Sequence, residues 1–313
     1  MLKTWKSLGL MAVLALVLVL AACGGSDDED TTEDTGSDEG TTEETNDEEA
    51  AAVGEGKEIE LVYVNWDTEI ASTHVVGEVL KNLGYDVTLT SIQNAAMWEA
   101  VATGEADGMV AAWLPATHES QFSEFGEEVV QLGPNLEGAK IGLVVPSYME
   151  ANSIEDLADQ VDQTITGIEA GAGVVGAAET AVEKYENLAD WNVQTSSSGA
   201  MTTALGEAID NEENIIVTGW NPHWMFSEYD LKYLEDPKGV FGEAETIETM
   251  VRQGLEEDMP NAYKVLDQFA WTEEDINSVM VDVIINEQDP EEAAATWIEE
   301  NQDKVAEWTK GVE

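Results

Sequence analysis

The sequence predicts an α/β protein of two similar lobes that face each other across a ligand cleft. Three observations lead there. From residue 58 onward, short β-rich runs alternate with helical patterns, the signature of βαβ units and largely parallel sheets. Two stretches share residues in order: Ala96, Met97 and Ala100 recur as Ala200, Met201 and Ala204, and Val110, Trp113 and Pro115 recur as Val217, Trp220 and Pro222, at offsets of 104 and 107. Each stretch ends its third strand with Trp-x-Pro. Ligands of open α/β sheets bind beyond the carboxyl ends of strands, so Trp113 and Trp220 are expected to face each other across the cleft.

Each element follows from local pattern. Residues 60–65 read as a strand. Over 73–83 a helix puts Val75, Val76, Val79, Leu80 and Leu83 on one stripe, stopped by Gly84. A strand at 86–91, a helix at 95–103 and a strand at 108–113 complete the first unit. The second repeats the plan: strand 163–168, helix 174–185, strand 192–196, helix 201–209, strand 214–219. The apolar run 140–146 and the segment 243–251 are candidate crossings between lobes. Near the C-terminus, Asp289 caps a helix whose first turn holds Pro290. The expected division is a leader at 1–22, a tether at 23–56, the first lobe at 57–145, the second at 146–245 and a helical return to the first at 246–313.

The front of the chain is an address. Lys3 and Lys6 precede an apolar run from Leu8 to Ala22, a signal-peptide pattern too short for a stable membrane span. The run ends at Cys23, the chain's one cysteine. That excludes an internal disulfide, and the position resembles a bacterial lipobox, so Cys23 is the expected lipid attachment point on the extracellular face of the membrane. Residues 26–50 carry thirteen acids and no base. They cannot bury enough surface to fold and would reach roughly 28 Å as a coil.

The 313 residues carry a net charge of −54, yet 43% are hydrophobic, so a large core is available. Without leader and tether, 53 acids still face ten bases, so the folded part is itself strongly acidic. Such a polyanion excludes nucleic acid as a partner. Its self-repulsion must be screened, so the unfolding midpoint is expected to rise between about 0.05 and 2 M salt, where screening lengths differ several-fold. Equal stability at the two would refute this.

Two features can carry ligand chemistry. Gly171, Gly173 and Gly176 form a G-x-G-x-x-G turn after a predicted strand. The following strand ends Gln194, Thr195, Ser196 with no acid for a ribose, which argues against a dinucleotide. What remains is either a tight turn or a helix N-terminus whose free N–H groups hold a small anion such as a carboxylate. Of ten tryptophans, Trp191, Trp271, Trp297 and Trp308 read as core or surface anchors. Trp98, Trp113 and Trp220 lie at helix starts or strand ends near the inferred cleft, and indole faces attract cations. An aromatic cage with a carboxylate-binding turn predicts a zwitterion. His118 either donates to the anion at the cleft rim or faces solvent. The three histidines lack metal-ligand spacing, and no cofactor is expected.

The runs 66–73 (WDTEIAST), 112–118 (AWLPATH), 168–174 (IEAGAGV) and 217–226 (VTGWNPHWMF) resemble the glycine betaine-binding lipoproteins of osmoprotectant ABC transporters, a similarity covering nearly all of residues 57–313. The resemblance implies a two-lobed, periplasmic-binding-protein-like (type II) fold that closes over its ligand, and a non-enzymatic monomer that delivers to a permease and ATPase. It implies that Trp98, Trp113 and Trp220 surround the trimethylammonium, while the N–H groups of Gly173 and Val174 and the side chain of His118 hold the carboxylate. Proline betaine, carnitine, choline or dimethylsulfoniopropionate are alternative ligands. An exported dehydrogenase and a structural surface lipoprotein are rival readings.

Overall fold

Two βαβαβ units, joined by long strands, build the fold. The computed structural model describes residues 53–313; the leader, Cys23 and the acidic run 26–50 lie outside the described residues. The first unit is β1 (Glu58–Tyr63), α1 (Asp67–Asn82), β2 (Asp86–Ser91), α2 (Asn94–Thr103) and β3 (Gly108–Leu114), followed by α3 (Glu119–Phe125). The long β4 (Val129–Pro146) leads into the second unit: β5 (Thr164–Thr166), α4 (Gly173–Lys184), β6 (Asn192–Gln194), α5 (Ser198–Asp210) and β7 (Val217–Asn221). Then come α6 (Met225–Glu228), β8 (Leu231–Tyr233) and β9 (Glu245–Arg252). The chain closes with α7 (Leu255–Asp258), α8 (Pro260–Gln268), α9 (Glu273–Ile284), α10 (Pro290–Glu300) and α11 (Gln302–Trp308).

The units are wound alike. In each, the first strand lies between the second and third, all parallel, giving β2-β1-β3 and β6-β5-β7. The three-residue drift in the sequence echo has a simple origin. Helix α2 has ten residues and α5 has thirteen. Both echoed prolines, Pro115 and Pro222, follow cis peptide bonds.

The sheets are mixed rather than largely parallel, because the connecting strands run antiparallel to both units. Strand β4 pairs with β9 from Val129 to Ala139, then with β7 from Lys140 to Val144 and with β8 from Val144 to Pro146. Its partner therefore changes between Ala139 and Lys140, ahead of the expected lobe boundary at 145. Strand β9 returns the chain between β3 and β4. The expected crossings at 140–146 and 243–251 fall on the second half of β4 and on β9, while the first half of β4 was not expected. Covered on both faces in its second half, β4 shows no period-2 alternation to read.

Burial follows the predicted stripes. All seven residues of β3 are buried, as are Val75, Val76, Val79 and Leu80 of α1. Helices α9 and α10 pack back on α1. Asp289 accepts the Glu291 N–H at 2.9 Å, as a cap should. Helix α1 begins at Asp67, six residues before the expected start at 73, because its first turn carries the acids Asp67 and Glu69, both buried. Trp297 and Trp308 stack with ring centroids 5.5 Å apart in the C-terminal core, and Trp191 donates to Ala158 O at 2.8 Å. Among the described residues, no helix is long and apolar enough to cross a membrane.

Candidate functional site

The site forms where the carboxyl ends of β1, β3 and β7 meet the amino end of α4. A cavity lies there, with about 290 Å³ of empty space counting its open mouth. Its walls are the indoles of Trp66, Trp113 and Trp220 with Ile141 and Ile168; its polar lining is Thr68, Thr117 and His118; the Ala172-Gly173-Val174 turn closes one end. Trp66 precedes the first turn of α1, Trp113 sits near the end of β3 and Trp220 near the end of β7. Thus strand ends of both units bring aromatic faces to one place.

His118 is fully buried, and its Nδ1 accepts the Trp113 backbone N–H at 3.1 Å. The proton therefore sits on Nε2, which has no partner among the described residues. Burial lowers its pKa to about 3, so the ring is a neutral N–H donor at any physiological pH. Glu245, the first residue of β9, fixes the loop that carries it by accepting the N–H groups of Ala116 and Thr117, each at 3.1 Å, and the Thr117 hydroxyl.

Opposite lies the α4 terminus. Gly171 has φ +91°, open to glycine but strained for other residues. The Ala172 cap makes no side-chain bond, and among the described residues nothing accepts the N–H of Gly173 or Val174. These are the orphan donors of a helix start, at the positive end of its dipole. Gly173 also touches the other lobe: a Cβ there would stand 2.2 Å from Thr117 O and 2.5 Å from Thr117 Cγ2. Gly176, by contrast, meets nothing within 4 Å. The tight helix–sheet packing that a dinucleotide fingerprint asks of its third glycine is not made here.

Carboxylates anchor the aromatic side. Glu69 accepts the Trp113 indole N–H at 2.7 Å, and Glu169, from the second unit, accepts that of Trp66. Asp67 accepts the Trp224 indole N–H at 2.8 Å and lies 3.2 Å from His223 Nε2. Burial alone would raise the Asp67 pKa. The neighbouring His223, Trp224 and Ser198 side chains reverse this and hold it below the usual carboxylate range. Asn94 Nδ2 adds a bond to Gly171 O at 3.4 Å. Each contact except that of Glu69 joins one lobe to the other, so the cleft is closed.

Residues 57–300 match the family described as the substrate binding domain of ABC-type glycine betaine transport systems. The chain belongs to this family. Among curated proteins it is similar to the glycine betaine/carnitine transport binding protein GbuC of Listeria monocytogenes, 54% identical over 160 residues. That match spans 51% of this chain and 53%, about half, of the relative. Among solved structures, lactococcal OpuAC in its closed-liganded form with glycine betaine aligns at TM-score 0.79 and 56% identity, over 81% of this chain and all of that one. The glycine/betaine/L-proline-binding protein ProX of Borrelia burgdorferi aligns at TM-score 0.79 and 34% identity, over 82% and 97%. The architecture is therefore the two-lobed periplasmic-binding-protein-like fold of this transport family.

Within that fold, Trp113, Trp220, His118, Gly173 and Val174 line one cavity. Trp98, expected beside them, does not. It is fully buried in α2, edge-on to His118 at 6.0 Å and to Phe122 at 6.1 Å. Its place on the cavity wall is taken by Trp66, 5.9 Å from the His118 ring. The reason is topological. Trp98 lies inside a helix on its core face with Met97 and Val101, whereas Trp66 stands just past a strand end. That position was the usable signal: Trp113 and Trp220 share it.

Proposed function

We propose that this chain captures glycine betaine outside the cell and delivers it to an ABC permease and ATPase, for protection against osmotic stress. The observation that carries the reading is one cavity with two chemically opposite ends. Trp66, Trp113 and Trp220 offer π faces to a trimethylammonium, which cannot donate an N–H bond and gains about 2 kcal/mol or more per well-placed desolvated ring. The N–H groups of Gly173 and Val174 and the His118 Nε2–H offer three donors to a carboxylate, each hydrogen bond to a charged group being worth about 1.5–3 kcal/mol. Closure excludes water and strengthens both sets. The similarity to GbuC and to betaine-liganded OpuAC supports the same ligand class. The role is binding and release, not catalysis. Lipidated Cys23 would hold the protein at the membrane surface as a monomer on a charged tether.

Calorimetric titration with glycine betaine, carnitine and choline tests this. Betaine is expected to bind much more tightly than choline, which lacks the carboxylate. Equal affinities would remove the role of His118 and the α4 turn, and no binding of any of the three would remove the reading.

A further inference from the structure

One buried acid has no counter-ion. Glu69 is 1% exposed. Its Oε1 accepts the Trp113 indole N–H at 2.7 Å and its other oxygen accepts the Thr68 hydroxyl. Among the described residues, no Lys, Arg or His nitrogen lies within ion-pair distance of it. A buried carboxylate without a cationic partner is disfavoured unless it is neutralised or a cation arrives. Both of its donors, Trp113 and Thr68, line the cavity, so Glu69 stands directly behind the wall that a quaternary ammonium would face.

We propose that Glu69 is the protein's counter-charge to the bound quaternary ammonium, so that capture of the ligand expels a proton from Glu69 to solvent. The inference rests on the betaine reading above. With no cation in the cavity, burial first of all, with the charge of nearby Asp67, raises its pKa to about 7 despite the bonds from Thr68 and Trp113. A cation in the adjacent cavity favours the ionised form. The sign follows by linkage. Well above pH 7 the carboxylate is already ionised and affinity is at its maximum. Below that, binding must also remove a proton, and affinity falls by up to about tenfold per pH unit until the pKa of the complex is reached.

Other ionisable groups face the same region. Asp67, on the same helix, is held ionised by His223 and Trp224 of the second lobe. His118 stays neutral, Glu169 is tied to Trp66, and Glu245 to the loop before α3. His223, 3.2 Å from Asp67, is the control position for groups other than Glu69. Glu69 acts through Trp113 and is a positioning residue.

The test is calorimetric titration of the wild-type protein with glycine betaine from pH 5.5 to 8.5, in buffers of different ionisation heat, which counts protons released. Affinity about tenfold weaker at pH 5.5 than at 8.5 is expected, with up to one proton released near pH 6 to 7. Glu69→Gln keeps an acceptor for the indole and should bind without pH dependence or proton release. His223→Gln should retain both. Tight binding by the wild type with no released proton, or release that survives Glu69→Gln, overturns the inference while leaving the betaine reading in place. Failure to bind betaine at any pH overturns both. The wild-type proton count needs no variant to fold.

Discussion

Replacing Trp66 with alanine is expected to weaken glycine betaine binding by about 30-fold or more, the equivalent of one desolvated cation–π contact of about 2 kcal/mol. The loss has a second source. The Trp66 indole N–H reaches Glu169 on the other lobe, so the variant also loses a closing contact. Trp66→Phe, which keeps a weaker π face but no N–H, should fall between. Trp98→Phe should leave affinity within about twofold, because it preserves an aromatic ring against His118 and deletes an indole N–H that has no partner. Trp98→Ala should instead lower stability, by about 3–5 kcal/mol for a fully buried Trp. Titration calorimetry beside thermal unfolding separates the cases. Wild-type affinity in Trp66→Ala, or an equal loss in Trp98→Phe, would return the third wall of the cage to Trp98.

Gly173→Ala is the second large effect. The added Cβ would meet a backbone oxygen, Thr117 O, at 2.2 Å, too close for any heavy-atom contact. Thr117 belongs to the opposite lobe and is pinned by Glu245, so neither side can give way while the cleft is closed. The lobes apart tolerate the methyl, and alanine is a better helix residue than glycine. Ligand-free stability should therefore be unchanged or slightly higher. Betaine affinity should drop about 100-fold, at the upper end of overpacking costs, and the ligand-induced rise in Tm should vanish. Contraction on ligand addition, read by small-angle scattering, should be lost with it. Ordinary affinity with ordinary contraction would show that closure does not need this contact.

Elements with a local cause were legible in the chain. The stripe of α1, the Asp289 cap and the two Trp-x-Pro strand ends each rest on spacing or on a residue's own geometry. So did the alternation that distinguishes βαβαβ units from other folds. Elements made by distant partners were not. The first half of β4 pairs with β9 across more than a hundred residues of sequence, and no local period records such pairing. The site divides in the same way. His118 and the glycine turn were visible as candidates because donors at helix starts are a local feature, but the choice between ligand contact and solvent needed the opposite lobe. Trp98 was misplaced because residue type and proximity in sequence do not report which face of α2 turns inward. Glu69 was invisible, since one acid among 66 carries no signal until burial leaves it without a counter-ion.

By itself the sequence determined the class of chemistry: aromatic faces and free helix-start donors in an α/β repeat, on a chain too acidic for nucleic acid. The net charge of −54 belongs to solubility and screening rather than to recognition, because a zwitterion is neutral. Only the tertiary structure decided which indoles share a cavity, that Gly173 must lack a side chain, and that Glu69 is buried uncharged or unpaired. Those three properties arise from two lobes meeting. They depend on distances between groups far apart along the chain, which the order of residues does not display.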